Sequence, residues 1–88
     1  MPTLSMFYGI IIYMNKESDE PHHLPHIHAR YQGNNASFDL EGNLLAGDLP
    51  NRQRKLVEAW ILLHQDELIA NWELISNGEK FFRIDPLR

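Results

Sequence analysis

The segment "HIHARYQGNNASFDLEG", residues 26–42, decides the fold because its pattern is that of a β-hairpin. Apolar and polar side chains alternate on both sides of a Gly-Asn pair, which supplies the positive φ angles that a tight turn requires. Successive side chains of a strand point to opposite faces, so Ile27 and Ala29 share one face while His26, His28 and Arg30 share the other. We expect the apolar face to be buried under a helix and the histidines to lie on the opposite face.

The pairing of the two strands depends on which residues form the turn. A turn at residues 33–34 places His28 opposite Asp39, and a turn at residues 34–35 places it opposite Glu41. Both pairings leave the histidines on one face of the sheet with a carboxylate across from them. The sequence therefore predicts the face but leaves the register open.

The stretch before the hairpin, "LSMFYGIIIYM" at residues 4–14, is rich in β-branched and aromatic residues on both alternating faces, which is typical of a buried central strand. It lacks the basic start and the small-residue cleavage site of a signal peptide, and it is too short to span a bilayer. We therefore expect a cytoplasmic protein without a membrane anchor. After the hairpin, a turn at residues 42–43 leads into a short strand, "LLAG".

From residue 50 the apolar residues recur at spacings of three and four, which predicts a helix with one apolar stripe: Leu56, Val57, Trp60, Ile61, His64, Leu68, Trp72 and Ile75. Asp48 is the expected cap, and "SNG" at residues 76–78 is a stop signal. Such a helix would be about 40 Å long, which is long for so small a domain, and the sequence leaves open whether it bends near Gln65. We interpret His64 as a core residue with one hydrogen bond, and "FFRIDP" as a short strand or docked tail.

Together these elements predict an α+β fold, an antiparallel meander of three to four strands covered on one face by a long helix in the C-terminal half. The length of 88 residues suits a single domain over residues 1–88. The chain has no cysteine, which excludes disulfides and thiolate metal ligands. Its formal net charge of −4 is spread along the chain and disfavours a nucleic-acid-binding protein.

Four of the five histidines lie close together, at positions 22, 23, 26 and 28, and this cluster has three interpretations. In the first, it binds Zn²⁺ or another divalent cation, with His26 and His28 as ligands and His23 or His22 and Asp39 in the remaining positions. In the second, a ribonuclease-like enzyme divides the base and acid roles between His28 and His26 while Arg30 holds a phosphate. In the third, the histidines form ordinary surface pairs with carboxylates. The residues alone do not decide whether the protein is an enzyme.

Several blocks of the chain resemble one protein family: "HHLPHIHARY" at 22–31, "FDLEGNLLAGDLP" at 38–50 and "LVEAWILLHQDELIANWEL" at 56–74. This is the bacterial domain of unknown function 4160 family, and the similarity covers nearly the whole chain. The resemblance implies a small stand-alone bacterial protein, often encoded beside a protein of the domain of unknown function 2442 type. That pairing implies a protein partner in a two-gene, toxin-antitoxin-like module. The resemblance carries over no activity and no catalytic residues.

Overall fold

The computed structural model describes residues 2–15 and 24–88, which form one antiparallel sheet and two helices. The elements are β1 (Thr3–Phe7), β2 (Ile10–Tyr13), β3 (His26–Tyr31), β4 (Asn34–Asp39), β5 (Leu44–Gly47), α1 (Asn51–Leu63) and α2 (Gln65–Ser76). The strands lie in the sheet in chain order, from β1 to β5. The predicted α+β class and the antiparallel meander are confirmed. The predicted three to four strands and single long helix are wrong, since the sheet has five strands and the helix is divided.

The extra strand comes from the N-terminal stretch, which forms a hairpin and not one central strand. Tyr8 and Gly9 both have positive φ angles, 51° and 78°, and form a tight turn between β1 and β2. Phe7 pairs with Ile10 directly across that turn. Because a non-glycine residue rarely adopts positive φ, Tyr8 gave no signal of a turn within an otherwise continuous run of strand-forming residues. β1 is therefore an edge strand of the sheet.

One face of the sheet is buried against the helices, as the alternation in the sequence predicted. Ile27, Ala29 and Phe38 are fully buried, and Leu40 is nearly so. They belong to a single core cluster that also contains the buried residues of α1, namely Val57, Trp60 and Ile61. The apolar half of the hairpin therefore faces the helices, which fixes its other half on the opposite face.

The question of a bend, which the sequence left open, is answered by a break in the helix at His64. This residue has φ −128° and ψ 28°, outside the helical region, and separates α1 from α2. The side-chain amide of the next residue, Gln65, donates to the carbonyl of Leu40 at 3.1 Å. The hydrogen bond attaches the break to the end of β4. After the change of direction, α2 buries its own residues Leu68 and Ile75 in the same core.

The sequence predicted the end of α2 correctly but not the residue that precedes the start of α1. The predicted cap at Asp48 is wrong, because Pro50 precedes the first helical residue and no side chain caps the helix. Asp48 instead accepts a hydrogen bond from the neighbouring backbone N–H. The stop signal is confirmed: Gly78 has φ 71°, and the backbone N–H of Glu79 donates to the carbonyl of Leu74 at 2.8 Å. This bond, typical of a Schellman motif, ends α2 where the sequence predicted.

The final segment, residues 79–88, has no regular secondary structure and docks on the core, as one of the two predicted alternatives stated. Ile84 is buried, and its backbone N–H donates to the carbonyl of Leu4 in β1 at 2.8 Å. The indole N–H of Trp60 donates to the carbonyl of Asp85 at 2.9 Å. This tail therefore joins the first strand to the first helix.

A buried amide on α2 is expected to hold the tail. The side chain of Asn71 is fully buried, donates to the carbonyl of Phe82 at 3.0 Å and accepts from the N–H of Phe82 at 2.9 Å. Asn71→Ala removes both bonds and leaves two backbone groups unsatisfied, so we expect the free energy of unfolding to fall by about 1–3 kcal/mol in urea titrations. Limited proteolysis should also cut the tail of this variant faster.

The control, Asn77→Ala, changes an exposed residue at the end of α2. Equal losses in both variants would contradict the assigned role.

Candidate functional site

The register of the central hairpin differs from both predicted registers. The turn lies at residues 32–33, with φ 46° at Gln32 and 85° at Gly33, so the predicted turns at 33–34 and 34–35 are wrong. Gln32 carries no sequence signal for positive φ, and the glycine occupies the second turn position instead of the first. The observed partners are His26 with Asp39, His28 with Ser37 and Arg30 with Asn35. The shift is by two residues, so each side chain keeps its predicted face.

We call the surface formed by Tyr13, His26, His28, Arg30 and Ser37 the histidine face. The ring of Tyr13 stacks on that of His28, with centroids 5.0 Å apart and planes 13° apart. The ring of His26 meets that of His28 edge-on, also at 5.0 Å. All five residues are half-buried. The rings of Tyr13 and His26 therefore both contact His28, and its partner across the ladder is Ser37.

The position of His26 departs from the expectation that the histidines lie away from the helices. Its ring centroid is 5.4 Å from that of Trp72 in α2, so the second helix reaches this end of the face. The Nδ1 atom of His26 lies 2.7 Å from the carbonyl oxygen of Leu24. Because a carbonyl only accepts, Nδ1 carries the proton and donates, and in the neutral ring the lone pair is on Nε2. This tautomer suits a base or a metal ligand.

Asp39 is held by the turn that follows β4. Its Oδ1 accepts from the backbone N–H groups of Glu41 and Asn43, both at 2.9 Å, and its Oδ2 accepts from the side-chain amide of Asn43 at 3.0 Å. Burial raises the pKa of Asp39, but the hydrogen bonds from Asn43, Glu41 and Gly42 outweigh this effect and lower the pKa below its usual 3.8. Its carboxylate therefore anchors the turn between β4 and β5.

The predicted metal set is only partly within the described residues. In residues 2–15 and 24–88, no group of three His, Asp or Glu side chains is placed to hold a metal ion. His22 and His23 lie outside the described residues, so the set of His23, His26, His28 and Asp39 stays a prediction. Arg30, the predicted phosphate ligand, lies on the histidine face opposite Asn35. The fifth histidine, His64, is largely buried and its Nδ1 lies 2.6 Å from Glu67 Oε1, as expected of a core histidine with one hydrogen bond.

Sequence reasoning predicted β5 but did not single it out as a functional element. All four of its residues are exposed, and the large side chains Leu44 and Leu45 are 36% and 45% exposed. β5 pairs with β4 on one side, and on its other side the described part of the chain makes no backbone hydrogen bond to it. The sequence "LLAG" contains no charged residue, and this absence of charge could have indicated an edge strand suited to binding.

A family model described as a domain of unknown function (DUF4160) matches residues 9–73. The chain belongs to the DUF4160 family. The segment of this DUF4160 chain that matches runs from the first turn into α2 and includes the histidine face and β5. Comparisons with curated proteins and with solved structures give no match. Within the described residues of this family member, neither helix is long and apolar enough to cross a membrane.

The anchoring role of Asp39 predicts a pH-dependent contribution to stability. Asp39→Ala removes its three hydrogen bonds, so we expect the free energy of unfolding at pH 7 to fall by about 1 kcal/mol, since the bonds are in contact with water. A lowered pKa in the folded state means that this stabilisation is complete above the unfolded-state pKa and is lost as the pH falls through the folded-state pKa.

Urea titrations of wild type and Asp39→Ala across the acid range test this expectation. The two unfolding curves should converge as the pH decreases below 3.8. Asp85→Ala is the matched control, because the side chain of Asp85 is exposed and makes no hydrogen bond within the described residues. A difference between wild type and Asp39→Ala that stays constant with pH would contradict the assignment.

Proposed function

We propose that this DUF4160 chain is a binding component that recruits a protein partner by pairing a strand of that partner with β5. The observation that carries the proposal is the exposure of β5, an edge strand with no exposed charge and no proline of its own. An edge strand presents unpaired backbone N–H and C=O groups, and a partner strand that pairs with them gains main-chain hydrogen bonds.

The two edges of the sheet support this choice because they differ. At the β1 edge, the tail already bonds to the carbonyl of Leu4 through the N–H of Ile84. At the β5 edge, Leu44 and Leu45 present aliphatic side chains beside the open backbone. Natural sheets commonly protect an edge with lysine, proline or a covering segment. β5 contains no lysine and no proline, which favours an edge that a partner covers.

The family resemblance suggests which partner to examine first. A protein of the domain of unknown function 2442 type, often encoded beside members of this family, is the proposed partner in a two-gene, toxin-antitoxin-like module. In such a module, one gene product holds the other in a complex, and strand pairing is a geometry that supplies affinity from backbone groups alone.

Co-expression with the adjacent gene product, followed by size-exclusion chromatography, tests the proposal. We expect the two wild-type proteins to elute together at micromolar concentration. Leu45→Lys should separate them, because a lysine on an edge strand opposes strand pairing. The matched control is Met6→Lys, which places the same charge at a side chain that is 55% exposed on β1, the opposite edge. Its complex should persist.

Two outcomes would count against this function. Separate elution of the wild-type proteins would remove the proposed partner, and loss of the complex in Met6→Lys as well as Leu45→Lys would remove β5 as the contact. Thermal unfolding of both variants guards against a trivial explanation, since both substitutions change exposed side chains and should leave the melting temperature close to that of the wild type.

A second candidate function is the ribonuclease-like one, and the shared face of His26, His28 and Arg30 supports it. Across β4, His26 lies opposite Asp39, His28 opposite Ser37 and Arg30 opposite Asn35. Arg30 and His28 are two residues apart on one face, about 7 Å along the strand. The neutral ring of His26 holds its proton on Nδ1, which donates to the carbonyl of Leu24, and this fixes its tautomer.

An induced-expression growth assay with RNA integrity as the second readout tests this candidate. We expect wild type to slow growth and cleave RNA, and we expect His26→Ala, His28→Ala and Arg30→Ala each to lose at least about 100-fold of the cleavage rate. Arg83→Ala, at an exposed position in the tail, is the control for loss of positive charge. Intact RNA with wild type, or cleavage that all three substitutions leave unchanged, would exclude this function.

A further inference from the structure

A groove lies between the turn after β4, the residues that precede β3 and the first turn of α2. Its cavity volume is about 430 Å³. Leu24, Pro25 and Ile69 supply apolar surface, and Asp39, Glu41 and Asp66 supply carboxylates. We call it the acidic groove. None of the five residues of the histidine face lines it, although Asp39, the cross-strand partner of His26, does.

The apolar part of the acidic groove is unusually open for side chains of this size. Leu24 is 53% exposed and Ile69 is 48% exposed, although both are large aliphatic residues. They approach the same cavity from different parts of the chain, Leu24 from before β3 and Ile69 from α2. Exposed apolar residues that converge on one concavity are typical of a surface that another molecule covers.

The charges of the acidic groove determine what kind of molecule fits it. Three carboxylates line it, and no lysine or arginine is among the described residues that do so. Hydrogen bonds from its own turn hold the Asp39 carboxylate in the ionised form at neutral pH. Carboxylates around a concave apolar surface attract cations and repel phosphate groups, which disfavours nucleic acid and anionic membranes as occupants.

We propose that the acidic groove binds a cationic, apolar segment of a partner protein. Aliphatic side chains of the segment pack between Leu24 and Ile69, and its lysine or arginine side chains lie beside Glu41 and Asp66. The proposal does not depend on strand pairing at β5, and it adds a second surface with a stated chemical preference. Complementary charge supplies the orientation of the segment, and the apolar contact supplies affinity.

Fluorescence anisotropy with a short, blocked, labelled peptide of leucine and lysine in amphipathic order tests the proposal on the whole chain. A matched peptide with glutamate at every lysine position is the control probe. We expect saturable binding of the lysine peptide and at least about tenfold weaker binding of the glutamate peptide. Comparable binding of the two peptides, or no saturable binding of the lysine peptide, would overturn the proposal.

Substitutions then locate the binding. Ile69→Ser should weaken binding of the lysine peptide by about tenfold, whereas Leu63→Ser, at a residue 68% exposed outside the groove, should not. Glu41→Gln combined with Asp66→Asn should weaken binding and reduce its salt dependence. Leu45→Lys on β5 should leave peptide binding within about twofold of wild type, which separates this surface from the strand-pairing one. Equal effects of Ile69→Ser and Leu63→Ser would overturn the assigned location.

Discussion

Burial of one face of the β3–β4 hairpin is the constraint on which the rest of the structure depends. Ile27, Ala29 and Phe38 reach a core that they share with Trp60 of α1. Because side chains alternate with a period of two, a slip of one residue in the pairing would expose all of them, whereas a slip of two exposes none. This asymmetry explains why the polar face is fixed even though the register was open in the sequence. The histidine face is the reverse side of the core.

The parts of the fold that follow from periodicity could be predicted from the sequence, and the parts that follow from turn conformation could not. Alternation identified the buried face of the hairpin, and helical spacing identified the residues of α1 and α2. One strand was missed because Tyr8 adopts positive φ, and the register of the central hairpin was misplaced because Gln32 does so. In both turns glycine is the second residue. The first residue, Tyr8 or Gln32, belongs to a type that has no special propensity for positive φ.

The candidate site shows the same division between what periodicity determines and what local hydrogen bonds determine. His26, His28 and Arg30 share a face as predicted, because a face depends only on alternation. Their partners differ from the prediction, since the turn moved by one position and Asp39 bonds to its own turn. Short acidic side chains commonly satisfy nearby backbone N–H groups in this way. The contact of His26 with Trp72 comes from α2, the helix that follows the break at His64, and no local motif in the sequence signals that contact.

The bond between Leu4 and Ile84 has a consequence for the edges of the sheet while the chain folds. It joins positions 80 residues apart (84 − 4), so the β1 edge is covered only when the two ends of the chain have come together. Until the tail docks, a folding chain has two open sheet edges instead of one, and β1 shares with β5 the capacity to pair with a neighbouring chain.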